Sequence, residues 1–170
     1  MFRTASRIGL LAVALTFAGC STDNAGSPPA APGDAGAAPV AGITFDQGFY
    51  NLERNSAITW RWMSERGAVS LPNTGVDMRL HIIGDVPVDH FKTPTTFAVA
   101  LNGETLDEFV ATAGVDKAYV VPAAKQGTAA ASQLTMTVSN HFVPKDEDAM
   151  KSNDTRTLGF SLRVLTWDPK

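Results

Sequence analysis

Two tryptophans stand two residues apart in the run AITWRWM, and close to the C-terminus the run SNDTRTLGFSLRVLTW sets Asp154 and Arg156 just ahead of an apolar segment. On an extended strand, residues i and i+2 share a face, so Trp60 and Trp62 lie together, with Arg61 on the other side. Such a pair either fills the core of a small β protein or forms a platform on which the C–H faces of sugar rings stack. Tyr50 and Trp167 are further aromatic candidates for ligand contact. Arg156 and Arg61 carry forked donors suited to carboxylates, and Asp154 or Glu53 can accept from them bidentately. The expected arrangement is a clasp of Glu53, Arg61, Asp154 and Arg156 that ties the entry of the last strand to its neighbours. The same residues would act as ligand contacts if their loss abolished binding without changing stability.

Signatures of catalysis are missing. The chain has no G-x-S-x-G elbow, no H-E-x-x-H, no C-x-x-C and no glycine-rich phosphate loop. His81, His90 and His141 sit in separate segments without the short spacing of a metal pair. Asp46, Glu53, Glu65, Asp85, Asp107 and Glu108 are numerous enough for two carboxylates to meet as glycoside hydrolysis requires, but the sequence singles out no pair, and the expectation is a protein that is not an enzyme. Asp146, Glu147, Asp148 and Asp154 form an acidic loop with oxygen ligands of the kind calcium takes, although the spacing is not that of an EF-hand. No other cofactor is indicated. The formal net charge is −3, mixed along the chain without a basic run, which sets nucleic acid aside.

The N-terminus points to a compartment. Arg3 and Arg7 precede an apolar core, Ile8 to Ala18, that is too short to span a bilayer. That core ends in Phe17-Ala18-Gly19-Cys20, which resembles a bacterial lipobox with Phe17 where Leu is more usual. Cys20 is the sole cysteine, so no internal disulfide is possible. The resemblance implies cleavage before Cys20 and its lipidation, with enough acyl chains for stable membrane attachment. Ser21, rather than Asp, after the cysteine implies the outer membrane of the cell envelope. Residues 1–19 are then the signal peptide. Residues 20–41 carry the lipidated Cys and a linker of Ala, Gly, Pro and Ser that lacks the apolar anchors needed to fold.

Residues 42–170 are the right size for one domain with one core. Short runs alternate apolar and polar residues at the period of half-buried strands: Ile58 to Met63, Ala68 to Leu71, Val76 to Ile83, Thr96 to Leu101, Thr105 to Val110, Ala118 to Val121, Gln133 to Ser139 and Phe160 to Leu165. Asn102-Gly103 is a strong hairpin signal. Lys145 to Ser152 and Ala123 to Ser132 are weak helical competitors, each short enough to be a single turn. The expected fold is all-β, a two-sheet antiparallel sandwich of jelly-roll type.

The segments GFYNLE, ITWRWM, VALNGETL, FVPKD and DTRTLGFSLRVLTW, in that order, resemble carbohydrate-binding-like β-sandwich modules of bacterial polysaccharide and glycosyltransferase-associated proteins. The resemblance spans nearly the whole folded part, and here no catalytic domain accompanies it. It implies a non-catalytic envelope lipoprotein that binds saccharide or envelope polysaccharide. The alternative is a structural or adaptor lipoprotein that docks a protein partner of the envelope machinery.

Overall fold

The computed structural model describes residues Gly42–Lys170; the signal segment, Cys20 and the linker lie outside the described residues. Eight strands run in chain order: β1 (Thr44–Arg54), β2 (Thr59–Pro72), β3 (Met78–Asp85), β4 (Thr95–Leu101), β5 (Glu104–Ala111), β6 (Gly114–Val121), β7 (Ala131–Val138) and β8 (Phe160–Pro169). The two weak helical candidates contain single 3-10 turns, at Ala123–Gln126 and Pro144–Asp146. Asn102 and Gly103 both take positive φ, 51° and 83°, in the tight β4–β5 hairpin. This is the conformation for which Asn and Gly have the lowest steric cost.

The fold is all-β, as expected, but the strands do not divide into two separate sheets. They form one antiparallel sheet in the order β5-β4-β7-β2-β8-β3-β6, with β1 added beside β2, and it curls nearly into a barrel. The length of β2 explains the difference. Met63 pairs with Phe49 of β1 on one edge and Phe160 of β8 on the other, while Ala68 pairs with Gln47 of β1 and Thr135 of β7. One edge of β2 is therefore covered by β1 and the other is shared end to end by β8 and β7. A single strand thus belongs to both halves of the curl.

The curl brings together its terminal strands, β5 and β6. No backbone ladder joins them; side chains do. The Lys117 ammonium donates to Asp107 Oδ2 at 3.2 Å and lies 4.1 Å from the Phe109 ring centroid, and the Tyr119 hydroxyl donates to the same carboxylate oxygen at 3.2 Å. Burial and the neighbouring Asp107 carboxylate push the Tyr119 phenol well above its usual range. A lysine and an aspartate turned toward the interior of two edge strands discourage pairing with a foreign strand.

The interior is closely packed. Met78, Leu80 and Ile82 of β3, Phe97, Val99 and Leu101 of β4, and Leu134, Met136 and Val138 of β7 all point inward. Phe97 is at the centre, edge-on to Phe160 at 4.7 Å and tilted against Phe109 at 5.6 Å. One end is sealed by Gln126, whose Oε1 accepts from Thr74 N at 2.9 Å and whose Nε2 donates to the Val76 carbonyl at 2.6 Å. Its backbone carbonyl accepts from Asn73 Nδ2 at 2.6 Å. A buried amide is stable only when satisfied in this way.

Strand β8 departs from strict alternation. Phe160 and Leu162 face the core, but opposite β3 the register steps from Gly84↔Leu162 to Ile83↔Val164. The extra residue is Arg163, whose guanidinium pairs with Asp85 at 3.0 Å. Beyond this bulge the inward positions become Leu165 and Trp167 rather than Val164 and Thr166.

Candidate functional site

Glu53 pairs across β1 and β2 with Trp60, and Leu52 with Arg61. Met63 is fully buried. Alternation then puts Trp60, Trp62 and Glu53 on the opposite, outer face of this hairpin. Both tryptophans are half-buried there. Across the same face runs the connection from β7 to β8, residues 139 to 159, closed on itself by reciprocal backbone hydrogen bonds between Phe142 and Leu158 at 3.0 and 2.8 Å. Phe142 meets Trp62 edge-on with centroids 6.4 Å apart, and the His90 ring stacks on Phe142 at 4.1 Å and 7°. Edge-to-face pairs of this kind add to the burial energy of the rings.

The charged centre of the face is Arg156. Its Nε and Nη2 grip Asp154, with Nε 3.0 Å from Oδ1 and Nη2 2.7 Å from Oδ2, while Nη1 reaches Glu53 Oε1 at 2.5 Å. The Arg156 backbone N–H also donates to Asp154 Oδ1 at 2.9 Å, an Asx turn that sets the side chain's direction. The guanidinium lies 5.2 Å from the Tyr50 ring centroid, and the Tyr50 hydroxyl oxygen accepts from Thr157 N at 3.2 Å. Glu53 and Tyr50 of β1 and Asp154 of the returning connection thus meet at one arginine. All three charged side chains keep between a quarter and a third of their surface exposed.

This arrangement explains why a polar turn leads straight into an apolar strand. Past Thr157 the chain dives inward at Leu158 and Gly159. The Gly159 N–H donates to the Met63 carbonyl at 2.9 Å, and a Cβ at this position would lie 2.7 Å from the Ser64 carbonyl oxygen and 2.8 Å from Val138 Cγ1. β8 therefore starts where β7 stops, against the middle of β2, and the Asp154–Arg156 turn holds the approach.

No family model and no curated protein matches this chain. Its site is therefore defined by geometry alone. Tyr50, Glu53, Trp60, Trp62, Asp154 and Arg156 come together on the outer face. Two expected residues do not. Trp167 is 3 % exposed and its indole N–H donates to the Pro72 carbonyl at 2.9 Å, because the bulge at Arg163 turns it into the core. Arg61 lies on the other face of β2, where it donates to the Tyr50 carbonyl at 3.2 Å and covers the Phe45 ring at 4.7 Å instead of meeting a carboxylate. Phe142, in the FVPKD segment, and His90 were not singled out as contacts by the sequence, since only the fold makes them neighbours of Trp62. The histidines stay apart: His81 pairs with Asp116 at 2.7 Å and His141 with Glu65 at 2.6 Å. Among the described residues no three acidic, histidine or cysteine groups converge as a metal site, and Asp154 of the expected calcium loop is committed to Arg156.

Hydrogen bonds from the Arg156 side chain, and then from its backbone N–H, hold the Asp154 carboxyl below its usual range. A group whose folded-state pKa is depressed stabilises the fold above its unfolded value of about 4, and loses that contribution as pH falls through the folded value. Asp154→Asn is therefore expected to flatten the acid limb of thermal stability below about pH 4 while changing little of its slope near neutrality. Melting temperatures of the two proteins across that range check this directly, and parallel acid limbs would rule the coupling out.

Proposed function

We propose that the protein is a non-catalytic, lipid-anchored protein of the bacterial cell envelope that binds saccharide or envelope polysaccharide on the outer face of the β1–β2 hairpin. One observation carries the reading: Tyr50, Trp60 and Trp62 gather on a single outer face, half-buried rather than consumed by the core, beside a fixed array of polar groups. Aromatic surface flanked by directed hydrogen-bonding groups is what a sugar ring, with its apolar faces and polar rim, requires. The order of motifs shared with carbohydrate-binding-like β-sandwich modules supports the same reading. The lipobox at Cys20 supports the anchor and the outer-membrane location.

Trp60→Ala is the direct test. On glycan and envelope-polysaccharide arrays the full-length protein in detergent micelles is expected to bind, and the variant to lose about tenfold or more in affinity with its melting temperature nearly unchanged, taking for the stacked sugar the scale of a base stacked on an aromatic ring, about 1–3 kcal/mol. Absence of any glycan ligand for the wild type would overturn the proposal. It would favour the adaptor reading, for which Val110 and Val120, 65 % and 50 % exposed on β5 and β6, provide apolar surface for a protein partner.

A further inference from the structure

The charge on the aromatic face points to the kind of sugar it takes. Arg156 is the cation at its centre, and each of its three nitrogens already donates to Glu53 or Asp154, leaving one further N–H on each Nη. Two carboxylates against one guanidinium leave this array with a formal charge of −1. The backbone reinforces the sign: Lys145 N donates to the Asp154 carbonyl at 2.9 Å, which anchors beside the array the short turn bearing Asp146, Glu147 and Asp148. Lys145 and Lys151 offset only part of that acidity. Glu53 also keeps acceptor capacity, for its Oε1 takes Arg156 while Oε2 receives no hydrogen bond from any described residue. That oxygen belongs to a residue paired directly across the strands with Trp60.

From this juxtaposition we infer that the face selects saccharides bearing a free amino group, the ring stacked at Trp60 and the ammonium donating to Glu53 Oε2. A uronate would meet two fixed carboxylates and a guanidinium whose charge they already more than offset, so anionic polysaccharides are disfavoured. A neutral sugar would stack but forgo the charge-assisted hydrogen bond. The inference rests on the saccharide-binding reading of the same face.

Three probes separate the possibilities, followed by intrinsic tryptophan fluorescence or calorimetry on the full-length protein at mildly acidic pH, where the sugar amine is protonated. They are glucosamine oligomers, the N-acetylated oligomers of equal length, and oligogalacturonate. The glucosamine oligomers are expected to bind about tenfold more tightly than the acetylated series, the magnitude of one hydrogen bond to a charged group. That preference should shrink with added salt. Glu53→Gln keeps the shape of the site and leaves Arg156 on Asp154, so it is expected to erase the preference, the glucosamine oligomers binding no more tightly than the acetylated series. Equal or tighter binding of the acetylated or uronate oligomers by wild type would overturn the inference and leave the saccharide reading standing. Binding of none of the three would overturn both.

Discussion

Phe160→Ala is expected to cost about 3–5 kcal/mol, the range for truncating a buried phenylalanine. The ring is fully buried, edge-on to Phe97, and so close to β3 that a Cβ on Gly84 would lie 2.3 Å from its Cζ. Gly84 has no side chain to move into the space left by the ring, and Phe97 is held from its other side by Phe109. The cavity therefore stays open, which puts the cost toward the upper part of that range. For a domain whose whole stability is of order 5–15 kcal/mol, this is a large fraction. Urea unfolding should show a much lower midpoint with an unchanged slope, and a Phe160→Leu variant should recover more than half of the difference. A midpoint shift of less than about 1 kcal/mol equivalent would mean that the core repacks around the gap.

Gly48→Ala is the second large effect, for a different reason. Gly48 has φ +78°, and a Cβ built on it would fall 1.8 Å from the carbonyl oxygen of Arg66. No side-chain rotation relieves a clash between backbone atoms, so β1 has to move. The expected cost is about 3 kcal/mol, the sum of left-handed strain and disrupted pairing. Gly103 supplies the control: its φ is +83°, but a Cβ there meets nothing within 4 Å. Gly103→Ala should cost only the conformational term, about 1 kcal/mol. Gly48 also lies two residues before Tyr50, in the irregular stretch that turns the tyrosine toward Thr157. On the proposed saccharide reading, Gly48→Ala should accordingly weaken that binding along with stability, whereas Gly103→Ala should leave it intact. Equal destabilisation by the two substitutions would sink the argument from close approach.

The strands that keep a strict period of two could be read from the sequence because side-chain alternation alone places their apolar residues in the core. The Asn102-Gly103 turn was equally legible, since its chemistry is local. The Arg156 clasp was visible because its Asp154 arm spans only two residues, and Glu53 stood out as a candidate for the other. β1 was not, and the reason is physical: its register against β2 slips at Asp46, Gly48 and between Phe49 and Leu52, which destroys the alternation by which a strand is recognised. The same cause misplaced Trp167. One inserted residue in β8 exchanges inside for outside, and no periodicity rule anticipates where a bulge will fall. Arg61 was assigned to the correct strand, but alternation alone could not show that its face lacked a carboxylate in reach.

The position of β8 in the sheet bears on when the molecule can fold. β8 is the last strand in the chain, yet it lies in the middle of the sheet between β2 and β3, and it contributes Phe160, Leu162, Leu165 and Trp167 to the core. Its partners were synthesised roughly 80 to 100 residues earlier, so its contacts carry a large loop-closure cost. A nascent chain that has emerged only as far as Gly159 has β2 and β3 facing an empty slot. Completion of the sheet waits for Phe160–Pro169. On the proposed reading of an exported, lipid-anchored protein, such late closure would keep the chain pliable during transit and commit it to its final shape only on the far side of the membrane.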